Sequence, residues 1–172
     1  KWMVFEQVPE VLTLEDGAIQ RAFTKRCQQL GYHVTPRLLN SSDFGSASKR
    51  IRLYTICTRL DIFARGGEPA PPTLASGRRR AVHDIIQPLV LRPPGHVHSE
   101  RSWSARSVYI GAGYTGPHLI GSRPGPSLGN HLYSIHGPAP VQRASGLHPT
   151  GTFWQDGKVI TLTPRESARC MD

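Results

Sequence analysis

The sequence predicts an α/β fold in which part of a sheet is followed by a loop-rich, mostly β lobe. Two observations carry this prediction. The first 60 residues contain, in succession, a short apolar run, apolar residues at helical spacing and a run of alternating residues, as strand, helix and strand would. Between residues 93 and 149, glycine, proline, serine and histidine are frequent, which is typical of loops joined by brief strands.

The elements of the sheet region follow from the local pattern. An apolar run that stops at Glu6 predicts a buried strand with a polar residue at its end. Ile19, Phe23 and Cys27 recur at helical spacing, and Gly31 is a typical stop after a helix. The predicted elements are, in order, a strand over 2–5, a helix over 15–30, an extended segment over 32–39, a turn over 40–45 and a strand over 51–57.

The second part of the chain contains only short predicted elements. Residues 66–72 have the composition of a linker, and five apolar residues at helical spacing predict a short helix over 80–89. Brief extended stretches are predicted over 107–110, 131–135 and 159–162. This region therefore has little predicted helix and a small core of its own.

A helix start is predicted close to the C terminus. Thr163 can cap, Pro164 takes the first helical position, and Glu166 stands three residues after the cap, which together form a capping box. This pattern indicates structure rather than function. Because the chain begins without methionine and ends inside this predicted helix, it is expected to be a fragment.

Positive charge is concentrated in the middle of the chain. The 172 residues carry a formal net charge of +9, and residues 49–123 alone have twelve basic against four acidic residues. Eleven of those twelve are arginines, whose guanidinium groups suit forked contacts to phosphate and guanine. Such a block predicts a polyanionic partner, most often nucleic acid, and the alternative is a solvated, arginine-rich surface.

Composition excludes several classes of protein. Seventeen glycines and fifteen prolines are too few for a low-complexity chain. No apolar run approaches the length of about 18 residues that crosses a bilayer. Three cysteines, far apart in sequence, fit neither a disulfide framework nor a Cys-x-x-Cys zinc site. With no secretory signal segment at its start, the chain is predicted to be cytoplasmic.

Three patterns could carry chemistry, and each has a structural alternative. Glu6 at a strand end could act as an acid or base, because α/β sheets place ligands at the carboxyl ends of parallel strands; an ion-paired carboxylate is the alternative. Arg50 and Arg52 lie on one face of a predicted strand and could clamp a phosphate or a carbonyl, or form an exposed face. His96 and His98 could hold a metal, but no third ligand has suitable spacing, so no metal site is predicted.

Four segments match, in order, the motifs of one enzyme family. Val4–Val8 is similar to a Glu-Asn-Val strand motif, with glutamine in place of asparagine. Leu39–Arg52 resembles Leu-Asn-Ala-x-Asp-Tyr/Phe-Gly-Val-Pro-Gln-x-Arg-x-Arg, and Leu132–Val141 resembles the recognition segment Tyr-Ser-x-x-Gly-x-Ala-x-Thr. Leu162–Arg169 is similar to Leu-Thr-Pro-Arg-Glu-x-Ala-Arg. The chain thus resembles the DNA (cytosine-5)-methyltransferases of bacterial or phage restriction-modification systems.

The resemblance implies a reaction and the residues that serve it. Such enzymes flip a cytosine out of the duplex, add a cysteine thiolate to C6 and transfer a methyl group from S-adenosylmethionine to C5. By resemblance, Glu6 engages N3 and the exocyclic amine, Arg52 reaches O2, and Arg50 is a neighbour in the same catalytic site.

Other residues are assigned by resemblance to DNA recognition and to structure. The loop that reads base edges in the major groove, with its flanking residues, comprises Gly129, Asn130, His131, Tyr133, Ser134, Val141 and Arg143. A structural motif that seats the recognition lobe on the catalytic core comprises Thr163, Arg165 and Glu166.

The resemblance also implies a fold and its domain boundaries. The expected fold is a partial S-adenosylmethionine-dependent methyltransferase (Rossmann-like) sheet followed by a target-recognition lobe. The expected parts are the catalytic α/β domain over 1–62, a linker and short helix over 63–92, the recognition lobe over 93–161 and the start of a helix returning to the catalytic domain over 162–172.

The sequence departs from the family pattern at several points. Ser46–Ser48 replaces Val-Pro-Gln, and Val141 stands where a threonine is usual. There is no Phe-x-Gly-x-Gly loop, no Pro-Cys loop and no closing Gly-Asn-Ser/Ala motif in the expected place. S-adenosylmethionine and the nucleophile are therefore expected to be held mainly by an N-terminal half absent from this sequence or by a separate chain. This chain alone is expected to be inactive.

Double-stranded DNA is the expected partner. The protein is expected to bind neither a metal nor a membrane. The alternative is a non-catalytic DNA-binding relic or regulatory subunit of such an enzyme, which an upstream Pro-Cys loop would argue against. A third reading is a basic RNA-binding protein, but the thirteen aromatic residues are scattered rather than interleaved with the basic ones for base stacking.

Overall fold

The structure, a computed structural model, describes six segments of the chain. These are 1–74, 79–98, 103–105, 115–124, 130–141 and 151–171. The chain divides into two compact units. The first unit comprises 1–40 and 51–74, and the second comprises 41–50 and 75–172. The domain boundaries implied by the family resemblance stay a prediction.

The first unit is a small antiparallel sheet with one main helix. β1 (Trp2–Gln7) and β2 (Tyr32–Asn40) both pair antiparallel with β3 (Ile51–Arg59), which lies between them. α1 (Ala18–Gln29) connects β1 to β2, and the short α2 (Leu60–Phe63) follows β3. The described sheet therefore contains only antiparallel neighbours.

The core of the first unit lies between the sheet and α1. The rings of Phe5 and Phe23 meet edge to face, with their centroids 4.9 Å apart. The sulfur atoms of Cys27 and Cys57 lie 3.8 Å apart, and Leu53 of β3 is fully buried. Leu53 and Cys57 lie on the same face of β3 and Phe5 on the matching face of β1, while Glu6 and Arg52 lie on the opposite face.

Local sequence patterns predict this unit well. The strands, the extended segment and the helix are confirmed, and the predicted turn contains a 3₁₀ helix over Ser41–Phe44. α1 begins at Ala18 instead of residue 15, because Glu15, Asp16 and Gly17 have positive φ angles of 50°, 53° and 77°. Left-handed backbone of this kind cannot continue into a right-handed helix.

The second unit is built around a sheet of short strands. They are β4 (Val97–His98), β5 (Ser104–Ala105), β6 (Leu119–Ser122), β7 (His131–Ser134), β8 (Thr152–Gln155) and β9 (Lys158–Thr161), and α3 (Pro164–Arg169) follows. Within the described residues their order in the sheet is β4-β9-β8-β7-β6-β5. Neighbours are antiparallel except β7 and β8, which are parallel.

This second sheet has a hydrophobic core of its own. Phe153 of β8 and Ile160 of β9 are fully buried, together with Val82 and Cys170. The ring of Tyr133 in β7 packs against Phe153, with centroids 6.0 Å apart. The predicted strands near residues 131 and 159 are confirmed as β7 and β9, whereas the stretch predicted over 107–110 lies outside the described residues.

The prediction of a helix over 80–89 is wrong. The structure has two 3₁₀ turns there, Val82–Asp84 and Leu89–Leu91. Pro88 lacks a backbone N–H and disfavours helical backbone in the residue before it. The Val82 N–H instead donates to the Gly137 carbonyl at 3.0 Å, so tertiary hydrogen bonding replaces the helical ladder.

Taken together, the two units form a mixed α/β fold with two sheets and few helices. The capping box at the start of α3 is confirmed, since Thr163 and Glu166 exchange side-chain to backbone hydrogen bonds. Among the described segments, α1 is the longest helix with 12 residues, and no helix there is long and apolar enough to span a membrane.

Candidate active site and nucleic-acid interface

Glu6 and Arg52 form an ion pair on the first sheet. Glu6 stands opposite Tyr54 in the β1–β3 register, so Arg52 is its diagonal neighbour on the same face. Arg52 Nε lies 3.3 Å from Glu6 Oε1, and the side chains are 18% and 47% exposed. Arg52 Nη1 also donates to the Ile51 carbonyl at 2.7 Å, which fixes the guanidinium group. A carboxylate and a guanidinium group thus lie side by side within reach of solvent.

The position of this pair differs from the sequence expectation in one respect. Glu6 was expected at the carboxyl end of parallel strands, whereas the described neighbours of β1 and β3 are antiparallel. Contact with Arg52 therefore arises from diagonal pairing across an antiparallel ladder. The pair offers acceptors and donors together, so it can bind a planar ligand edge that carries both.

Arg50 ends a closed loop over residues 41–50, which we call the serine strap. The Ser41 hydroxyl accepts from the Arg50 N–H at 3.1 Å and donates to the Ser48 carbonyl at 2.7 Å. The Ser41 N–H donates to the Arg50 carbonyl at 3.0 Å, and the Ser48 N–H donates to the Ser46 hydroxyl at 3.2 Å. These serines stand where the family motif has Ala, Val and Gln, so hydroxyl groups close the loop in this chain.

The serine strap pairs with the segment that precedes Val141. The Lys49 N–H donates to the Ala139 carbonyl at 3.0 Å, and the Ala139 N–H donates to the Ala47 carbonyl at 2.7 Å. Ser48 and Ala139 form a parallel bridge, and both alanines are fully buried. The strap, and with it the backbone of Arg50, is thereby fixed to the unit that contains the predicted recognition segment.

Replacing Ser41 by alanine is expected to loosen the serine strap without unfolding the protein. The substitution removes two hydrogen bonds, so amide hydrogen exchange at Arg50 should accelerate about tenfold or more. Ser41→Thr keeps the hydroxyl and should keep the protection. Thr13→Ala, which removes an exposed hydroxyl bonded to the Glu10 carbonyl at 3.1 Å, is the control. Unchanged exchange at Arg50 in Ser41→Ala would contradict the proposed closure.

The residues predicted to contact DNA lie on and beside β7 where the structure describes them. Those described are Asn130, His131, Tyr133, Ser134 and Val141, whereas Gly129 and Arg143 lie outside the described residues. Tyr133 is 7% exposed and belongs to the core, and its hydroxyl lies 3.2 Å from His131 Nδ1. His131 and Ser134 are half-buried at the two ends of the strand. Their contacts with DNA stay a prediction.

Sequence reasoning did not single out Arg123, which the structure places beside this segment. Arg123 Nε donates to Asn130 Oδ1 at 2.8 Å, and its guanidinium carbon lies 5.0 Å from the centroid of the Trp103 ring. The Arg123 N–H also donates to the Asn130 carbonyl at 2.9 Å. The three residues are distant in sequence and follow no common spacing, so only the strand register brings them together.

A buried ion pair joins α3 to the linker region. Arg92 donates through both terminal nitrogens to Glu166, at 2.8 and 3.0 Å, and the two side chains are 0% and 2% exposed. Glu166 also accepts from the backbone N–H groups of Gln87 and Thr163, each at 2.8 Å. Glu166 therefore has a structural position, as the motif suggests, whereas its neighbour Arg165 is exposed. No motif or spacing in the sequence pointed to Arg92 as the partner.

These contacts set the charge of Glu166. Burial alone would raise the pKa of the Glu166 carboxyl group. Hydrogen bonds from the backbone of Thr163 and Gln87, and from the guanidinium group of Arg92, outweigh burial and hold the pKa below its ordinary value. Glu166 is therefore ionised at neutral pH and forms a true salt bridge.

The three thiols are buried and do not suit a nucleophile. Burial, assisted by the neighbouring Cys27 thiol, raises the pKa of Cys57 to about 12. Burial, with the nearby Glu166 charge, also raises the pKa of Cys170 to about 12. Because the thiolate is the reactive form, Cys57 and Cys170 are inert at neutral pH, and Cys27 is enclosed between α1 and β3.

His96 and His98 are joined through a hydroxyl group instead of a metal ligand set. Thr161 Oγ1 lies 3.2 Å from His96 Nδ1 and 3.2 Å from His98 Nε2. Burial lowers the pKa of His98, and the nearby His96 and Arg123 lower it further. Across the described segments, no three His, Cys, Asp or Glu side chains group to hold a metal.

A mixed α/β fold, a carboxylate–guanidinium pair on one sheet and an arginine-rich second unit are features of α/β proteins that act on nucleic acid. A model of the family described as C-5 cytosine-specific DNA methylase matches residues 1–171, and the chain belongs to that family. The resemblance drawn from the four motifs is therefore confirmed. Enzymes of this family in general use S-adenosylmethionine as the methyl donor.

Two relatives show how much of such an enzyme the chain represents. It is 26% identical over 184 residues to Type II methyltransferase M.HhaI of Haemophilus parahaemolyticus, which covers 99% of this chain and 52% of that protein. It is 31% identical over 90 residues to Type II methylase M.HgiDII of Herpetosiphon aurantiacus, which covers 52% of this chain and 24% of that protein. The matched part thus spans about half the length of the first relative and a quarter of the second.

Proposed function

We propose that this chain supplies the cytosine-binding and DNA-recognition residues of a DNA (cytosine-5)-methyltransferase. The observation that carries the proposal is the 3.3 Å pair of Glu6 and Arg52 on the first sheet. The polar edge of a cytosine flipped out of the duplex carries an exocyclic amine donor and the N3 and O2 acceptors. A carboxyl group for the amine and N3, beside a guanidinium group for O2, is complementary to that edge.

The same contacts assist the reaction. When a thiolate adds to C6, negative charge develops on the ring towards N3 and O2. A proton held between Glu6 and N3, together with Arg52 at O2, stabilises that charge without rearrangement of either side chain. The hydrogen bond from Arg52 to the Ile51 carbonyl supplies this preorganisation. Arg50 is assigned to the same reaction on the family resemblance alone.

The second unit serves DNA recognition in this proposal. Asn130, His131 and Ser134 contact base edges or the sugar-phosphate backbone, and Gly129, Val141 and Arg143 belong to the same contacting segment. Tyr133 is assigned a supporting role, because its ring is buried against Phe153. Thr163 and Glu166 keep α3 in place, and the exposed Arg165 takes part in seating the recognition lobe.

The methyl donor and the nucleophile are assigned to residues outside this sequence. A nucleotide-like cofactor needs a glycine-rich loop between a strand and a helix N terminus. The described connection from β1 to α1 runs through 3₁₀ turns, with Gly17 as its only glycine, and does not fit S-adenosylmethionine. The three thiols are buried as well, so neither the donor site nor the nucleophile is assigned to this chain.

We propose that further strands of a Rossmann-like sheet pair with β1. In the described residues β1 pairs with β3, and no described strand lies along its other edge. Trp2 and Val4 on this strand are 50% and 61% exposed. Exposed apolar side chains on a strand at the end of the described sheet are typical of a surface that another element covers. A preceding half of the same protein, or a partner chain, would supply those strands, the cofactor site and the cysteine.

Methyl transfer by the complete protein tests this function. The full-length gene product, or this chain co-expressed with the chain that completes it, is incubated with duplex DNA and S-adenosylmethionine, and methylated cytosines are mapped by bisulfite sequencing. Methylation at C5 within one short sequence is the expected result. DNA binding without transfer would contradict the enzymatic role and support the alternative of a non-catalytic DNA-binding relic or regulatory subunit.

Duplex binding by this protein is expected to depend steeply on salt. Residues 49–123 carry a net charge of +8, and each phosphate that they neutralise releases counterions. With several such contacts, the association constant should fall at least about tenfold between about 50 and 200 mM salt. Fluorescence anisotropy on a labelled duplex measures the slope. Equal affinity at both salt concentrations would contradict phosphate contacts from this block.

A further inference from the structure

The side chain of Arg123 is held in one orientation by two neighbours. Its Nε donates to Asn130 Oδ1 at 2.8 Å, and its guanidinium carbon lies 5.0 Å from the Trp103 ring centroid. Arg123 directly follows β6, and its N–H extends the β6–β7 ladder by donating to the Asn130 carbonyl at 2.9 Å. An arginine side chain normally samples many rotamers, so a stacking contact and a hydrogen bond together preorganise it.

Among the described residues, no carboxylate neutralises the charge of this arginine. Arg123 is exposed, and in the described residues no carboxylate forms an ion pair with it. The nearby His98 has its pKa lowered by burial, by His96 and by Arg123 itself. Two histidines therefore lie near the guanidinium group of Arg123.

We propose that Arg123 is a specificity-determining residue that reads a guanine in the major groove of the target duplex. This inference rests on the proposed function of the chain. Asn130 occupies the Nε–H, so the two terminal nitrogens carry the donors that remain for a ligand. Guanine presents two acceptors, O6 and N7, and a forked arginine contact to them is the commonest specific contact in protein–DNA complexes.

The position of Arg123 supports a base contact over a phosphate contact. Asn130, to which it is bound, directly precedes β7 in the segment assigned to base reading. A phosphate can accept hydrogen bonds from an arginine in many directions, whereas a base edge requires the guanidinium group to lie in a defined plane. The Trp103 ring and the hydrogen bond to Asn130 together restrict the orientation of the Arg123 guanidinium group. Both ligands share the same acceptor chemistry, and the experiment separates them.

The test selects sequences from a randomised duplex library with the complete protein and its variants. Arg123→Ala removes the fork, Arg123→Lys keeps the charge without the fork, and Trp103→Ala removes the stacking partner. Arg65→Ala is the matched control, because Arg65 is exposed in the first unit and its replacement removes the same positive charge. The selected consensus is then tested with 7-deazaguanine, which lacks the N7 acceptor, at each guanine position.

The wild-type consensus is expected to contain one guanine whose preference falls about tenfold to a hundredfold in Arg123→Ala. 7-Deazaguanine at that position should weaken wild-type binding and leave Arg123→Ala unaffected. Arg123→Lys and Trp103→Ala should also lose preference there, and Arg65→Ala should keep it. A consensus unchanged in Arg123→Ala, with uniformly weaker binding and a shallower salt slope, would assign Arg123 to a phosphate and overturn the inference.

The outcomes also separate this inference from the proposed function. A protein that selects a sequence through Arg123 but transfers no methyl group would contradict the enzymatic role and support the guanine contact. A protein that methylates cytosine while Arg123→Ala keeps its full selectivity would support the enzyme and overturn the guanine contact. Melting temperatures of all variants are measured, and Trp103→Phe, which retains an aromatic face, replaces Trp103→Ala if that variant unfolds.

Discussion

Replacing Glu6 by glutamine in the complete methyltransferase is expected to lower kcat about a hundredfold or more and to leave duplex affinity nearly unchanged. Glutamine keeps the shape of the side chain and can still hydrogen-bond the cytosine edge, but it has no carboxylate that could share a proton with N3. The ion pair with Arg52, now 3.3 Å long, also loses its charge. Single-turnover methyl transfer, measured beside equilibrium binding to the same duplex, separates the two effects.

A matched carboxylate controls for the loss of negative charge. Glu10 lies in the 3₁₀ turn that follows β1 and is exposed. Glu10→Gln changes the net charge equally but removes no group beside Arg52, so it should react at the wild-type rate. Transfer by Glu6→Gln at a rate close to wild type, or equal losses in both variants, would contradict the assignment of Glu6 to the active site.

Arg52→Ala is expected to lower turnover to a similar extent while much of the duplex binding remains. Arg52 is 18% exposed and lies 3.3 Å from Glu6, so its loss removes the proposed O2 contact and this ion pair together. Arg59→Ala is the control, because Arg59 ends the same strand and pairs only with the exposed Asp61. Turnover near wild type in Arg52→Ala would contradict its assignment to the cytosine edge.

Local pattern predicts the first unit because its elements depend on neighbours in sequence. Apolar runs and helical spacing were sufficient to predict β1, α1, β2 and β3. The same holds in the second unit for the capping box of Thr163 and Glu166, because these residues are only three apart in sequence. The motifs also placed Glu6 and Arg52 in one site, and the structure brings these two together. What the pattern could not supply is the antiparallel ladder that makes them diagonal neighbours.

The features that sequence reasoning missed all depend on contacts between distant segments. The 80–89 segment has a helical pattern, but Val82 is instead fixed by its hydrogen bond to Gly137. Trp103 and Arg123 meet because strands bring them together, and Arg92 reaches Glu166 across more than seventy residues of chain. No periodicity encodes such partners, so composition showed an arginine-rich block without showing which arginine is structural and which is available to a ligand.

Of all the ion pairs described, that of Arg92 with Glu166 is expected to contribute most to stability. Arg92→Met should lower the free energy of unfolding by about 3–5 kcal/mol, because it leaves a buried carboxylate without its partner. Both side chains are almost completely buried, at 0% and 2% exposure. Urea unfolding of the purified protein measures the loss. Arg59→Met, which breaks the exposed pair with Asp61, should cost less than about 1 kcal/mol.

A double variant distinguishes loss of the pair from loss of packing. If the cost of Arg92→Met comes from the unpaired charge, adding Glu166→Gln should cost far less in that background than in the wild type. If the cost is only lost packing of the arginine stem, the two effects should add. Additive losses would therefore contradict the salt bridge as the source of stability.

The pH dependence of stability provides an independent measurement of the same pair. The pKa of Glu166 in the folded protein lies below its ordinary value of 4.5, despite burial, because backbone amides and Arg92 stabilise the carboxylate. The folded state therefore resists protonation more than the unfolded state does, and the stabilisation is fully present above about pH 4.5. As the pH falls through the folded pKa, that stabilisation is lost. Glu166→Gln should be less stable at neutral pH and should lack this acid-dependent decline. Parallel pH profiles of the variant and the wild type would show that Glu166 is not the carboxylate responsible.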